Sequence, residues 1–284
     1  MDKKLLLLGS TGKMGIAIKS VFEKDYSVIG KNTSDFDAQN FKQVRSLIEK
    51  INPDIVINTV AFLGIDPCEI EPEKALRLNT LYPKLIAEIS NKMNFLFIHF
   101  STDAVFNDVK GNYYVESDCP SPLNVYGFSK YGGDCFIKSL AKKYYIFRVS
   151  VLFGEALKKN QFVEKMLHKI EEGQKNLKIS DDIISSPTYT IDVADEVKKI
   201  LETEMPYGLY HIANEGKISL YQLMEEVTNN LGVSVKVEKA SYNDFSYIGI
   251  KNTYTPLLSE KIKPLRPWQD AVKEYCNNIK IKGQ

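Results

Sequence analysis

The chain has 284 residues, 44% hydrophobic and 26% charged, which is enough apolar material for one large core or a main core with a smaller companion. Lys and Arg total 37 against 36 Asp and Glu; the net charge of +1 supplies no global field to draw nucleic acid or an anionic membrane, so any anionic ligand must be held locally. No run approaches the roughly 18 apolar residues of a membrane span, and Cys68, Cys119, Cys135 and Cys276, like His99, His168 and His211, are too scattered for a zinc site. These features read as a cytoplasmic chain with reduced thiols and no metal.

The first strand-like run, Leu5 to Leu8, is too short for a secretory signal and reads as a strand buried on both faces. It breaks into Gly9-Ser10-Thr11-Gly12-Lys13-Met14-Gly15, where glycines permit a tight turn and close backbone approach. The helix expected from about Lys13 would aim free N–H groups and its positive dipole end at a pyrophosphate. Further strands are expected at 26–30, 55–60, 95–101 and 144–150. Between them Phe41, Val44, Leu47, Ile48 and Ile51 share one helical face, and Ala75, Leu78, Leu81, Leu85 and Ile89 another. This alternation predicts an α/β fold with a Rossmann-type doubly wound parallel sheet, whose ligands gather at the carboxyl ends of the strands.

After the second strand come Lys31, Thr33 and Ser34 rather than an acid, a set suited to a 2′-phosphate; NADP(H) is therefore expected ahead of NAD(H). The plain alternative for Lys31 is a solvated loop lysine. After the third strand come Ala61 and Phe62, and after the fourth Ser101-Thr102-Asp103-Ala104-Val105-Phe106. Tyr126 and Lys130, four apart, share a helix face, where a neighbouring ammonium would favour the phenolate and bring proton transfer nearer to working pH.

The last third changes character. Irregular stretches are expected around 155–165, 180–190 and 239–265, strands at 175–180, 209–213 and 233–238, and helices at 190–203, 219–231 and 267–279. Such a region usually builds a lid or substrate half over the sheet edge. The division expected is a dinucleotide-binding unit over 1–150, to which later segments return, and a smaller α/β unit over 151–284. Trp268 reads as a packing residue of the last helix.

With these motifs in hand, the chain resembles the extended short-chain dehydrogenase/reductases, and within them the dTDP-4-dehydrorhamnose reductase family. Besides Gly9-x-x-Gly12-x-x-Gly15 and Tyr126-x-x-x-Lys130, the resemblance rests on Asn52-Pro-Asp-Ile-Val-Ile-Asn58, Glu71-Pro-Glu73 before Asn79, Ser101-Thr102-Asp103-x-Val105-Phe106 and Pro122-Leu-Asn-Val-Tyr126-Gly. Ser186-Pro187-Thr188, Gly208-Leu-Tyr-His211 and Arg266-Pro-Trp268 extend it to nearly the whole chain. It implies NAD(P)H-dependent reduction of a 4-keto group on a nucleotide-activated deoxysugar, with the smaller unit binding the sugar nucleotide and a homodimer admitted. Tyr126 would give the proton, Lys130 would hold the nicotinamide ribose and lower the tyrosine's pKa, and Thr102 would hydrogen-bond the carbonyl. Gly9 to Met14, Lys31, Asp37, Ala61 and Phe62 would bind cofactor, with a helix N-cap as the alternative for Asp37. Thr102, Asp103, Ala104, Val105 and Val151 would face the sugar, and Ile184 to Thr188 would lie near the sugar or phosphates. Family members generally carry an aromatic where this chain has Ala104 and a tryptophan where it has Val151, which leaves room for a different or bulkier sugar. An epimerase or dehydratase on the same fold, and a non-catalytic NADP-binding regulatory subunit, are the alternatives; the latter commonly lacks the tyrosine–lysine pair.

Overall fold

In the computed structural model, which describes residues 3–158 and 161–279, strand and helix alternate from the outset. The first half runs β1 (Lys4–Leu8), α1 (Lys13–Phe22), β2 (Ser27–Lys31), α2 (Phe41–Ile51), β3 (Ile55–Asn58), α3 (Ile65–Ile70), α4 (Pro72–Leu76), a π-turn (Arg77–Leu81), α5 (Tyr82–Met93), β4 (Leu96–Thr102), a 3-10 turn (Asp103–Val105), α6 (Val125–Leu140) and β5 (Tyr144–Val149). It continues with β6 (Leu152–Phe153), α7 (Phe162–Glu171), β7 (Asn176–Ser180), β8 (Ile184–Ser185), β9 (Thr188–Tyr189), α8 (Thr190–Glu202), β10 (Gly208–His211), β11 (Asn214–Glu215), β12 (Ile218–Ser219), α9 (Leu220–Leu231), β13 (Lys236–Ala240), β14 (Leu265–Pro267) and α10 (Trp268–Asn278).

Six parallel strands form the central sheet in the order β2-β1-β3-β4-β5-β10. The order reverses between β1 and β3, so the helices that follow them leave on opposite faces and open a crevice at the strands' carboxyl ends. Alternate residues supply the two faces. Leu5, Leu7, Ile55, Ile57, Ile98 and Phe147 pack with α1 and α8, whereas Leu6, Leu8, Val56, Phe97 and Ile146 pack with α2, α5 and α6. Both faces being covered, the strands read as unbroken apolar runs, and each fully buried leucine contributes about 1.5–3 kcal/mol.

A second hydrophobic core gathers Phe153, Val163 and Leu167 of α7, Leu177 and Ile179 of β7, Leu223 and Val227 of α9, and Trp268, Val272 and Tyr275 of α10. Trp268 thus packs against the last elements, its indole covering Gly216, where a Cβ would lie 2.7 Å from the ring. The chain passes to this core after β5 and comes back to the first core for α8 and β10 before leaving again.

One expectation is corrected. The single helix read from Ala75 to Ile89 is interrupted at the π-turn, whose extra residue per turn rotates the buried face. Asn79 and Thr80 are buried there and Leu81 is 41% exposed. Within the stretch read as irregular, α7 starts at Phe162; Lys159 and Asn160 lie outside the described residues. No described helix is long and apolar enough to cross a membrane, and no group of three described His, Cys, Asp or Glu side chains is placed to hold a metal ion.

Candidate active site

The turn after β1 is shaped by its glycines. Gly9 has φ +87°, and a Cβ there would stand 2.6 Å from the Thr59 hydroxyl oxygen; a Cβ on Gly15 would stand 2.2 Å from the Gly9 carbonyl oxygen. Both positions therefore exclude a side chain. Gly12, the N-cap of α1, offers no side-chain acceptor to the helix's first N–H groups, which remain available to an anion. Over this turn lies a cavity of about 530 Å³ lined by Gly9, Thr11, Gly12, Lys13, Asn32, Thr33, Phe36, Thr59, Ala61 and Phe62, with Ala156, Lys158 and Gln161 from beyond β5. A dinucleotide fits such a site: glycines clear the backbone, the helix end faces the diphosphate, and apolar walls await the rings. The 61–63 wall is held by buried Asn79, which accepts the Phe62 N–H at 2.8 Å and donates to the Phe62 carbonyl at 2.9 Å.

Not every residue of the expected set turns its side chain to that cavity. Ser10 donates its backbone N–H to the Lys31 carbonyl and packs under Gly30. Met14 sits in the first core. Lys13 is buried and spends its ammonium on the Leu152 carbonyl at 2.7 Å and Glu164 at 2.6 Å, so it ties the turn to α7. Burial lowers its pKa, and Glu164 opposes that. Lys31 pairs with Asp35 at 3.1 Å, and Asp35 also accepts the Asn32 N–H. An acid does follow β2, four residues later than the strand end. Asp37 is exposed and accepts the Gln39 N–H; the N-cap of α2 is Asn40, which accepts the Gln43 N–H, so the capping alternative for Asp37 falls.

The second cluster forms where β4 ends and α6 begins. Asn124 caps α6 by accepting the Gly127 N–H, and Gly127 admits the Ala104 carbonyl, which a Cβ would meet at 2.1 Å. This contact sets Tyr126 beside Thr102 and Asp103. Burial pushes the Tyr126 phenol above its ordinary range, the Thr102 hydroxyl opposes this, and Asp103 adds to it. Asp103 is itself enclosed: its carboxylate accepts hydroxyls from Thr102 at 3.0 Å, Ser150 at 2.8 Å and Thr255 at 2.8 Å. Burial raises its pKa against those three hydrogen bonds. Lys251 is the nearby cation, its own pKa lowered by burial and raised by Asp103 and Asp66.

Lys130 departs from the expected geometry. Its Nζ donates to the Phe100 carbonyl at 2.6 Å and meets His99 Nε2 at 3.2 Å. Burial lowers it to about 8, and it is not among the groups acting on Tyr126, whose pKa stands raised rather than lowered. Val105 is also corrected. Its side chain is fully buried with Phe106, Tyr114 and Leu257, away from any ligand surface, while Ala104 is buried at the α6 contact and Val151 is half-buried. Ile184 to Thr188 pack beneath the 253–257 segment, with the Ser186 hydroxyl and Leu257 N–H 3.1 Å apart. Ser150, Glu164 and Thr255 were not singled out by the sequence reading. Their partners Asp103 and Lys13 lie 47 to 152 residues away, beyond the reach of local spacing.

A family model described as the RmlD substrate binding domain matches residues 3–281. The dTDP-4-dehydrorhamnose reductase of Escherichia coli is 30% identical over 83% of this chain and 81% of its own length. The chain belongs to the dTDP-4-dehydrorhamnose reductase family. The spore coat polysaccharide biosynthesis protein SpsK of Bacillus subtilis is 31% identical over 96% of both chains. Among solved structures, the dTDP-4-dehydrorhamnose reductase of Clostridium acetobutylicum superposes with a TM-score of 0.89 at 29% identity, covering 96% of this chain and 98% of that one. The Bacillus anthracis reductase, in complex with NADP, gives 0.91 at 26% identity, covering 98% and 100%. Both structures share this chain's fold over nearly its whole length.

Proposed function

We propose that this chain reduces the 4-keto group of a nucleotide-activated deoxysugar of the dTDP-4-dehydrorhamnose kind, using NADPH with NADH as a second donor. The observation that carries the reading is the juxtaposition of Tyr126, Thr102 and enclosed Asp103 at the end of β4, on the same sheet edge as the glycine turn and its cavity. A bound nicotinamide would supply the hydride for the carbonyl carbon. Tyr126 supplies the proton to the carbonyl oxygen, and burial, which raises its pKa, keeps it protonated at neutral pH. Thr102 has one hydroxyl hydrogen and two acceptors, Asp103 and the phenolic oxygen; as the phenol loses its proton, that hydrogen turns from Asp103 to the phenolate. Asp103 is a positioning residue in this scheme, since its oxygens are occupied by three hydroxyls. The smaller core would cover the sugar nucleotide, with Ala104 and Val151 leaving the sugar pocket open.

Purified protein assayed for NADPH oxidation on a panel of 4-keto sugar nucleotides tests the reading. Turnover on at least one of them is expected, dTDP-4-dehydrorhamnose first. Tight NADPH binding without turnover on any would overturn it and assign the chain to regulation.

A further inference from the structure

Among the described residues, five buried side-chain polar atoms meet no hydrogen-bond partner in the protein: Tyr82 Oη, Ser101 Oγ, Asp134 Oδ1, Arg148 Nη1 and His211 Nε2. Buried polar groups are ordinarily paired, because leaving one bare costs about 1–3 kcal/mol. Four of these five fall in one place. In the parallel register Ser101 of β4 stands beside Arg148 of β5, and Arg148 beside His211 of β10. All three lie on one face of the sheet, since Phe97, Ile146 and Leu209, each an even number of residues back along its strand, pack in the core on the α6 side. Asp134 meets this row from α6 and accepts both Arg148 Nε and Nη2, at 3.1 Å each, on the single oxygen Oδ2.

The row is closed to bulk solvent. Ser101, Asp134, Arg148 and His211 are each at most 4% exposed. Phe106 covers them: the Arg148 guanidinium lies 5.2 Å from its ring, His211 meets it edge-on at 5.7 Å, and Tyr114 stacks against it at 4.3 Å. Burial, and after it the Arg148 charge, lowers the His211 pKa to about 4 while Glu116 opposes, so guanidinium and imidazole stand within electrostatic reach of each other.

Counting hydrogens defines what fits. The one N–H of neutral His211 sits on Nδ1, which faces the Tyr114 and Leu258 carbonyls at 3.1 Å, so Nε2 is an acceptor. Asp134 Oδ1 is a second acceptor. Arg148 Nη1 carries donors only, and Ser101 brings a hydroxyl hydrogen. Two donors and two acceptors are the complement of a water molecule's two lone pairs and two hydrogens. Other occupants fit worse. A cation is repelled by the guanidinium, an anion meets the Asp134 carboxylate and the Nε2 lone pair, and an apolar group leaves all four atoms bare.

We propose that this row is a buried hydration site, with ordered water bridging Arg148 Nη1 to His211 Nε2 and serving Ser101 Oγ and Asp134 Oδ1. Three strands and a helix converge on it. Ser101 directly precedes Thr102, and Asp134 is one turn past Lys130 on α6, so the water belongs to the joint that seats the helix of Tyr126 on the sheet.

The test is a crystal structure of the full chain at a resolution that shows ordered water. A peak within hydrogen-bond distance of both Arg148 Nη1 and His211 Nε2 is expected in every copy. A direct Arg148–His211 hydrogen bond, or no peak between them, overturns the inference. In solution, ¹⁵N NMR of the histidine-labelled chain gives a second reading: Nε2 of His211 should resonate upfield of a bare imine nitrogen, as an accepted hydrogen bond requires. A bare-imine resonance, or a hydrogen carried on Nε2, overturns it equally. Neither measurement needs a variant, a cofactor or turnover, so the outcome is independent of the reductase reading.

Discussion

His211 offers a sharp test of how burial is used in this fold. Its ring is wedged edge-on against Phe106 at 5.7 Å, its Nδ1–H serves two carbonyls at 3.1 Å, and Nε2 is buried without a partner. Burial lowers it to about 4 from an ordinary 6.5, while Glu116 pulls upward. A base with a lowered folded-state pKa stabilises the fold fully above 6.5, and that stability is lost as pH falls toward 4. Between pH 7 and pH 5 the unfolded chain takes up nearly one proton that folded His211 refuses, a loss of about 2 kcal/mol. His99, fully buried and lowered well below its ordinary value, loses stability in the same direction as pH falls below 6.5. Urea unfolding of wild type and His211→Phe at pH 7 and pH 5 isolates the contribution. The variant pays a constant cost for its lost hydrogen bonds, but its difference between the two pH values should be smaller than wild type's by about 2 kcal/mol. An unchanged difference would refute the assignment of a neutral buried ring.

Tyr126→Phe should lower kcat by roughly 10²- to 10⁴-fold while NADPH affinity, measured by fluorescence titration, stays within a factor of about two, because the donor is lost and the glycine turn is not. Gly15→Ala should abolish NADPH binding in the same titration, since its methyl group would stand 2.2 Å from the Gly9 carbonyl oxygen and must displace the turn; retention of affinity would show that the turn does not carry the diphosphate. Lys13→Met should cost about 3–5 kcal/mol in urea unfolding by stranding Glu164, and adding Glu164→Leu should recover most of it. Asp35→Asn should free Lys31 and raise the NADPH-to-NADH preference by several-fold at low salt, an effect that 0.5 M salt should erase; no change would remove Lys31 from the 2′-phosphate site.

The frame was legible because its signals are local. Leu5 to Leu8 name a strand covered on both faces, and the glycines after it name a turn that a single Cβ would destroy. Tyr126 and Thr102 could be found since each lies in a short motif, and the N-cap Asn124 stands two residues before the tyrosine. What stayed hidden depends on distant pairing. Nothing near Asp103 announces that Thr255, 152 residues on, will occupy its carboxylate, and nothing near Lys13 announces Glu164. Lys130 was assigned to the tyrosine by helical spacing, but the strand beside it offers a carbonyl and an imidazole within hydrogen-bond distance. The helix read through Ala75 to Ile89 failed where buried Asn79 and Thr80 outbid an apolar period.

The return of the chain to its first core has a bearing on synthesis. Val193, Val197, Ile200, Tyr210 and Ile212 complete the face of the sheet that α1 alone cannot cover. A ribosome making about 5–20 residues per second needs several seconds to pass from β5 to Ile212. During that interval five strands exist with one apolar flank only partly covered by α1 and the β5 edge unpaired. The first core cannot close before α8 and β10 arrive, and rare codons between Leu152 and Thr190 would lengthen the exposure.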